Sequence, residues 1–194
     1  MGADAHLPSW YDDLGGFESH AWAMMTRGVA DRRFGFHTPA LATIGADGTP
    51  RSRTVVLRGV DRAERLLRFH SDARAGKIPE IEARPDVSVV FYDRAVKLQV
   101  RVDCVATVHR NTNFADEAWA ATRSFSRECY RVAPAAGRPI DAGGGYEHLS
   151  AEDEGRANFA VVLCEAKSVE ALYLAASGHR RARYASSERT WLVP

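Results

Sequence analysis

The clearest pattern along the chain is an alternation of apolar and polar residues over 97–109. Every second residue from Leu98 to Ala106 is apolar, and the residues between them are mostly polar. A period of two is typical of a strand with one buried face. Shorter apolar or alternating runs, bounded by Gly, Pro, Asp and Ser, predict further strands. These strands are expected at 40–44, 51–60, 66–71, 87–92, 159–164, 168–174, 180–185 and 190–193.

Helical spacing appears in three other stretches. Residues 10–32 place Phe17, Ala21, Met24, Met25 and Val29 near one stripe. This spacing predicts a helix that covers the sheet. A second helix is predicted from near Lys77 to just before Arg84-Pro85, because the residue before a proline is disfavoured in a helix. A third helix is predicted over 111–122, with Thr112 or Asn113 as its N-cap. Its apolar residues Phe114, Ala118 and Ala121 are expected to share one face.

Short strands at regular spacing with few helices favour a mainly β fold, a β-barrel with flanking helices. The three strands predicted between residues 40 and 71 follow one another through short turns, which predicts an antiparallel meander. The 194 residues, 45% of them hydrophobic, suffice for one full core. We therefore expect a single domain over 1–194, with 1–34 as an N-terminal segment and covering helix. The Gly- and Pro-rich stretch 131–157 is predicted to be an irregular functional segment.

Composition and charge exclude several classes of protein. The net charge is +1, from 26 basic and 25 acidic residues, so no global field attracts nucleic acid or a membrane. No apolar run of 18 residues predicts a membrane span. Three widely spaced cysteines without a CxxC motif indicate reduced thiols and a cytoplasmic location. The seven histidines show no HxxxH or HxH spacing, so no metal site is expected.

Positive charge is concentrated in one segment. Residues 51–77 hold eight basic residues against three acidic ones, a local excess of five in a nearly neutral chain. Arg53 and Arg58 flank an apolar strand centre, so their guanidinium groups must reach a strand end or a pocket. Ser71, Asp72 and Lys77 follow a strand and precede a helix, an arrangement that can hold an anion. Phosphate binding is the chemistry that these residues favour. Three other arginines, Arg62, Arg65 and Arg68, are interpreted as a solvated edge.

Four motifs in a fixed order resemble a known family. They are RSRTVVLRGVD, LRFHSDARAGK, IEARPDVSVVFYD and KLQVRVDCVA, and the C-terminal VEALYLAASGHRRARY continues the likeness. Together they resemble the pyridoxamine 5′-phosphate oxidase-related, FMN-binding split-barrel family, and its shorter, divergent branch most of all. The likeness runs from about residue 35 to the C-terminus, and 131–157 matches poorly. It implies an antiparallel, Greek-key-type split barrel, FMN as cofactor, a small-molecule substrate and a homodimer with FMN at the subunit interface.

The resemblance also implies a set of cofactor contacts. Arg53 takes the place of the arginine that contacts the FMN phosphate, and Arg58 closes the same motif near the flavin ring. His70 and Ser71 replace an aromatic–Thr pair, and Lys77 matches a loop lysine. The full set of implied cofactor-binding residues is Arg53, Thr54, Val55, Val56, Arg58, His70, Ser71, Arg74, Lys77, Gln99, Tyr173 and Arg183.

The chain departs from the family pattern where substrate should bind. Ala75-Gly76 stands where the family has a Ser-Arg pair, and Arg74 is the candidate to replace one of those contacts. The closing Arg-x-His is disrupted in the 179–183 segment, although Arg180 and Arg181 are candidate substrate-binding residues. No catalytic residue is assigned. These departures predict weak or no pyridoxamine 5′-phosphate oxidase activity and a different, less anionic substrate.

An FMN-dependent oxidoreductase acting on a small molecule is the leading hypothesis. The alternatives are a true pyridoxamine or pyridoxine 5′-phosphate oxidase, and a module without turnover of its own that binds flavin or another planar cofactor. A third class, a nucleic-acid or scaffold protein with an arginine surface, lacks interleaved aromatic residues for stacking. Flavin absorbance of the purified protein separates this class from the others, and turnover with candidate amines separates enzyme from module.

Overall fold

An antiparallel sheet forms the centre of the computed structural model, which describes residues 7–150, 154–186 and 188–194. Its nine strands in the described residues are β1 (Ala40–Ile44), β2 (Pro50–Thr54), β3 (Leu57–Asp61), β4 (Leu66–Asp72), β5 (Asp86–Asp93), β6 (Leu98–His109), β7 (Phe159–Tyr173), β8 (Arg180–Ala185) and β9 (Glu188–Leu192). The main path runs β2-β1-β5-β6-β7-β4-β3, and β8 and β9 extend from β7. Every pair is antiparallel.

The sheet is curled into a barrel by a very short connection. Strands β2 and β3 lie at opposite ends of the hydrogen-bonded path, yet only Val55 and Val56 separate them in sequence. In a flat sheet with about 4.8 Å between strands, the two edges would lie roughly 29 Å apart. The three peptide units from Thr54 to Leu57 span at most about 11 Å. The edges therefore meet without pairing, which is the open seam of a split barrel.

The order of the central strands is that of a Greek key. Strands β5, β6 and β7 are sequential neighbours, and β4 lies beside β7 while its chain continues to β5. When the chain is followed backwards from β7 to β4, the spatial order β5-β6-β7-β4 becomes 3-2-1-4, which is the order of the motif. The predicted mainly β, antiparallel, Greek-key-type split barrel is confirmed.

Helices cover the barrel at several places. They are α1 (Leu14–Ala30), α2 (Lys77–Ala83), α3 (Asn113–Ala120), α4 (Ser124–Arg127) and α5 (Glu154–Ala157), with short 3₁₀ turns at Gly35–His37 and Glu128–Tyr130. The Asp13 carboxylate caps α1 by accepting from the Gly15 N–H, and the Thr112 hydroxyl caps α3 by accepting from the Ala115 N–H. The predicted end of α2 before Arg84-Pro85 is confirmed. None of the helices in the described ranges combines the length and apolar character needed to cross a membrane.

The main core lies inside the barrel and under α1. Strand β6 buries every second residue from Leu98 to Ala106, as its alternation predicts. Helix α1 buries Phe17, Ala21 and Met25 of the predicted stripe. It also approaches the 35–37 turn closely at Gly28, where a Cβ atom would lie 2.7 Å from the Phe36 carbonyl oxygen. The side chain of His37 is thereby held 2.7 Å from the Gly28 carbonyl oxygen.

Two strand predictions are wrong. The single strand expected at 51–60 is broken at Val55, whose N–H donates to the Pro39 carbonyl at 2.9 Å while the chain crosses the seam. The strands between residues 40 and 71 are therefore not three adjacent strands of a meander. The strands expected at 159–164 and 168–174 are one, β7, because a bulge opposite Asp103 and Cys104 keeps its pairing with β6 continuous.

The predicted inner face of the third helix is also wrong in part. Helix α3 buries Ala115, Ala118 and Trp119 against a second core cluster on β7, built around Phe159 and Tyr130. Phe114 packs against this cluster from its edge, as expected, but Ala121, expected on the same face, is exposed. Phe114, Ala118 and Ala121 also border a cavity. Part of the segment predicted to be irregular is ordered by a single bridge between Val132 and His148.

Candidate functional site

Arg53, the arginine predicted to bind phosphate, is held by polar groups from two other elements. Its Nη2 donates to Glu80 Oε2 on α2 at 3.0 Å, and its Nη1 donates to the hydroxyl of Thr43 on β1. Glu80 and Thr43 are almost fully buried, whereas the Arg53 side chain is 25% exposed. A second guanidinium, that of Arg51, donates to the other Glu80 oxygen at 3.0 Å. The Arg53 head is therefore fixed at the end of β2 with part of its donor set toward solvent.

Lys77 lies beside this group at the start of α2. Burial lowers the pKa of Lys77, the positive charge of Arg53 lowers it further, and Asp72 and Glu80 act in the opposite direction. Such effects act over short distances, so the structure brings Lys77 and Arg53 together. Ser71 is buried at the end of β4, and its hydroxyl donates to the Asp72 carbonyl at 3.0 Å. Arg53, Lys77 and Ser71 are called the phosphate cradle below.

Arg74 is directed toward the neighbouring irregular segment. Its Nε and Nη2 form a bidentate pair with the Asp72 carboxylate at 3.0 and 2.7 Å. Its Nη2 and Nη1 also donate to the carbonyls of Val132 and Ala133, both at 2.9 Å. The hydrogen bond from Asp72 raises the pKa of Arg74 above its already high value. Arg74 thus ties the 131–150 segment to the end of β4, and its role in cofactor binding stays a prediction.

Thr54, Val55 and Val56 form the backbone crossing between the two edge strands. Thr54 is exposed, Val55 is buried in the main core and Val56 is half-buried. Arg58 follows on β3, on the far side of the crossing from Arg53. The predicted contacts at 53–58 therefore run along the open seam of the barrel, with a cation at each end.

A cavity of about 550 Å³ lies next to Arg58, between the end of α1, strands β3 and β4, and the α3–α4 region. Three of its lining residues have a buried nitrogen atom without a hydrogen-bond partner in the described part of the chain: Arg58 Nε, Arg68 Nε and His70 Nε2. Arg32, His37 and Arg123 add further basic groups, and Glu117 is the one acid among the described lining residues. Buried polar atoms without partners are costly, and an anion in this cavity could supply the acceptors that the arginines lack.

His70 is kept neutral by its surroundings. Burial lowers the pKa of His70 to about 3, and the charges of Arg58 and Arg68 contribute to this shift. Its ring meets the edge of Phe159 at 4.8 Å between centroids, which fixes its orientation. Strongly perturbed titratable groups in a cavity are a frequent sign of a functional site.

The remaining predicted cofactor-binding residues lie on strands β6, β7 and β8. Gln99 is half-buried on β6, Tyr173 packs edge-on against Trp10 at 5.0 Å, and Arg183 is exposed on β8. Among the contacts of the described residues, none joins these three to the phosphate cradle. The structure therefore places Arg53 beside Lys77, Ser71 at the end of β4 and Arg58 at a separate cavity, and the grouping of all seven residues around one cofactor stays a prediction.

The two candidate substrate arginines are engaged in ion pairs. Arg180 Nε donates to Asp12 at 2.7 Å, and its guanidinium stacks over the Tyr11 ring at 3.9 Å. Arg181 donates twice to the buried carboxylate of Glu170, at 3.1 and 2.8 Å. In this arrangement both side chains stabilise the β7–β8 region, and their role in substrate binding stays a prediction.

Sequence reasoning missed several residues of the site. Thr43 and Glu80 were not singled out, although an acid between the apolar Ile78 and Ile81 of α2 signals a buried carboxylate. The interpretation of Arg68 as part of a solvated edge is wrong, because β4 alternation puts it on the same face as His70. Arg62, by contrast, is exposed as expected.

Comparison with known proteins fits this geometry. A sequence model described as "Pyridoxamine 5′-phosphate oxidase, FMN-binding domain" matches residues 19–110, which include most of α1, the seam and the phosphate cradle. Residues 19–110, a little under half of the chain, are therefore similar to this FMN-binding domain family. The family match thus coincides with the part of the chain that holds most of the predicted cofactor contacts.

Curated relatives of this family support the assignment over part of their length. The chain is 35% identical over 127 residues to a pyridoxine/pyridoxamine 5′-phosphate oxidase of Rubrobacter xylanophilus, covering 64% of this chain and 57% of that protein. It is 33% identical over 101 residues to the enzyme of the same name from Azorhizobium caulinodans, covering 52% and 46%. The match thus spans about half the length of these relatives.

Two solved structures share the fold. One is a pyridoxamine 5′-phosphate oxidase-related, FMN-binding protein from Nostoc punctiforme, with a TM-score of 0.73, 21% identity, and coverage of 97% of this chain and 99% of that one. The other is PhzG from Burkholderia lata in complex with tetrahydrophenazine-1-carboxylic acid, with a TM-score of 0.69, 18% identity and full coverage of both chains. At these identities the likeness shows the fold alone.

The possible metal ligands of the described residues are not grouped as a metal site requires. In the residues that the structure describes, no group of three or more His, Cys, Asp or Glu side chains could hold a metal ion. Cys104 and Cys164 are buried, Cys129 is exposed, and all three are free thiols.

Replacing His70 by Phe should make the folded protein less sensitive to acid. Folding lowers the pKa of His70 from 6.5 to about 3, so the unfolded chain binds a proton more readily over that interval. The contribution is constant above about pH 7.5 and becomes destabilising as the pH falls below about 6.5. Urea unfolding at about pH 8 and pH 5 measures it. We expect the wild type to lose more stability than His70→Phe between these values, and an equal loss in both would contradict the buried, neutral His70.

Proposed function

We propose that this chain binds FMN and acts as an FMN-dependent oxidoreductase on a small molecule. The observation that carries the proposal is the phosphate cradle, in which the guanidinium of Arg53 is held by Glu80 and lies close enough to the half-buried Lys77 to lower the pKa of that lysine. Two cations and a hydroxyl suit the terminal phosphate of FMN, because charge-assisted hydrogen bonds to phosphate are strong and directional. The family match and the FMN-binding description of its fold relatives support the same cofactor.

The residues present fit the rest of the cofactor as well. A flavin ring that leaves the cradle along the seam would pass the backbone of Thr54–Val56 and reach Arg58. When bound, FMN would supply the electron-transfer chemistry, and the protein would supply anchoring, orientation and electrostatics. Arg58 has a buried Nε without a partner, so it can place positive charge beside a reduced, electron-rich ring.

The cavity beside Arg58 is the proposed substrate site. Its arginines are separate from those of the cradle, so an anionic group of the substrate would have cations of its own. A substrate with a carboxylate therefore replaces the less anionic one expected from the departures near the C-terminus, whereas the family's closing motif for a substrate phosphate remains disrupted. The curated relatives are named for phosphate-bearing substrates, and PhzG was solved with a carboxylic acid.

A homodimer would complete the site. Gln99, Tyr173 and Arg183 belong to the predicted cofactor set but lie apart from the cradle within one chain. A second copy could bring its own Arg183 to the cradle of the first, which matches the subunit-interface site implied by the sequence. The exposed Tyr92, next to Gln99 in the β5–β6 register, is a candidate for that interface.

Replacing Arg53 by Ala should weaken FMN binding. The lost charge-assisted contact is worth about 1.5–3 kcal/mol, which corresponds to a Kd raised about tenfold or more. Flavin fluorescence titration measures the change. Arg62→Ala is the matched control, because Arg62 is an exposed arginine of the β3–β4 turn that donates only to Ser19. Equal FMN affinity in wild type and Arg53→Ala would remove Arg53 from the site.

The FMN-loaded chain should sediment as a dimer. Twice the chain mass of 21.4 kDa is the expected value, with FMN comigrating. Sedimentation velocity with simultaneous detection of protein and flavin absorbance checks this. A monomer that retains FMN at wild-type affinity would contradict a site shared between two copies.

Pyridoxamine 5′-phosphate should be turned over weakly or not at all. Arg180 and Arg181, which stand nearest to the family's closing substrate motif, are paired with Asp12 and Glu170. A site that lacks matched polar partners can reject a substrate by factors of about 10⁴. Oxygen consumption by FMN-loaded protein measures turnover, and a rate of about 1 s⁻¹ or more, within the usual enzyme range, would contradict the expectation.

A further inference from the structure

The guanidinium of Arg53 is held by one edge only. A planar guanidinium has an end-on edge formed by Nη1 and Nη2 and a side-on edge formed by Nε and Nη2. Thr43 and Glu80 accept from the end-on edge, and the Leu41 carbonyl lies 3.4 Å from Nη1. Within the described part of the chain, Arg53 Nε donates to no acceptor. The side-on edge, one of the two forks that bind phosphate or carboxylate in a bidentate way, is therefore open.

The groups on the end-on edge form a closed ring of hydrogen bonds. Arg53 Nη1 donates to the Thr43 hydroxyl, which donates to Glu80 Oε2 at 2.6 Å, and the same oxygen accepts from Arg53 Nη2. Arg51 occupies the other Glu80 oxygen. Every oxygen of this carboxylate is thus directed at a donor, and α2 is locked to β1 and β2 at the point where Arg53 leaves the sheet.

We propose that Glu80 is a positioning residue, which with Thr43 orients the side-on edge of Arg53 toward the cofactor phosphate. The inference rests on the proposed FMN site and adds to it a role for two residues that do not touch the ligand. A long, flexible arginine loses rotamer freedom when it binds an anion, and an arginine already fixed in the binding orientation loses less. Glu80 therefore raises phosphate affinity although its own charge repels a phosphate.

This role predicts a change opposite in sign to simple charge repulsion. If Glu80 acted only through its charge, its removal would leave a more positive cradle and strengthen phosphate binding. If it positions Arg53, its removal frees the guanidinium and weakens phosphate binding. Lys77 lies one turn before Glu80 on α2 and is unchanged in a Glu80 variant, so its charge does not distinguish the charge effect from the positioning effect.

The preference of the protein for FMN over riboflavin tests the proposal, because riboflavin has the same ring without the phosphate. Both dissociation constants are measured by fluorescence titration on the full-length chain. We expect Glu80→Ala to lower the preference about tenfold, through weaker FMN binding with riboflavin binding unchanged. Glu80→Gln should retain most of the preference, because the amide oxygen still accepts from Arg53. A higher or unchanged preference in Glu80→Ala overturns the proposal.

Further variants separate positioning from folding and from failure of the cradle itself. Thr43→Val removes the hydroxyl without a change of charge and should lower the preference about threefold, whereas Thr43→Ser should restore it. If Glu80→Ala does not fold, the Thr43 pair decides, and equal preference in Val and Ser variants overturns the proposal. Glu82→Ala is the control on the same helix, since Glu82 is exposed and paired with Arg110. Loss of FMN and riboflavin binding by equal factors in Glu80→Ala would show a purely structural role.

The Arg53→Ala variant shows which proposal fails. An unchanged preference in Arg53→Ala means that the phosphate lies elsewhere, and the FMN site is then wrong. A lowered preference in Arg53→Ala together with an unchanged one in Glu80→Ala leaves the FMN site intact and refutes only the positioning role.

Discussion

Two residues, Val55 and Val56, join the opposite edges of the sheet, and the rest of the architecture depends on this short connection. Because so short a connection cannot cross the width of a flat sheet, the strands must curl until the edges meet. The edges meet but do not pair, and a groove remains. The side chains that flank this seam are consequently the ones that can face a ligand while the remaining strands bury their apolar faces.

The seam places two groups of positive charge close together but treats them differently. On one side Arg53 is balanced by Glu80 and fixed by Thr43, so its charge costs little and its geometry is defined. On the other side Arg58 and Arg68 have buried nitrogens without hydrogen-bond partners among the described residues, and burial, assisted by their charges, lowers the pKa of His70 and keeps it neutral. A balanced cation suits a resident cofactor, whereas unbalanced cations suit a ligand that comes and goes.

This contrast has an energetic consequence for the protein as a whole. Buried donors without partners reduce stability, and proteins retain such groups mainly where function requires them. The cavity is bounded by α1 and by the α3–α4 region, elements that lie outside the barrel. The unpartnered nitrogens belong to Arg58, Arg68 and His70 on β3 and β4, so their cost falls on the outer side of these two strands, while the main core inside the barrel is apolar.

Local sequence determined much of the fold and part of the site. The alternation over β6, the proline after α2 and the apolar stripe of α1 each act within a few residues, so their elements were predictable. The excess of arginine at 51–77 and the order of four motifs similarly pointed to Arg53, Arg58, Ser71 and Lys77.

What the sequence could not show is where separate elements meet. The break at Val55 depends on which strand each half of the segment pairs with. The pairing of Arg53 with Glu80 and Thr43 joins residues 27 and 10 positions apart. The placing of Arg68 beside Arg58 likewise depends on the β3–β4 register. Hydrogen bonds and buried charges of this kind form only after the sheet has curled, and so the tertiary structure decided them.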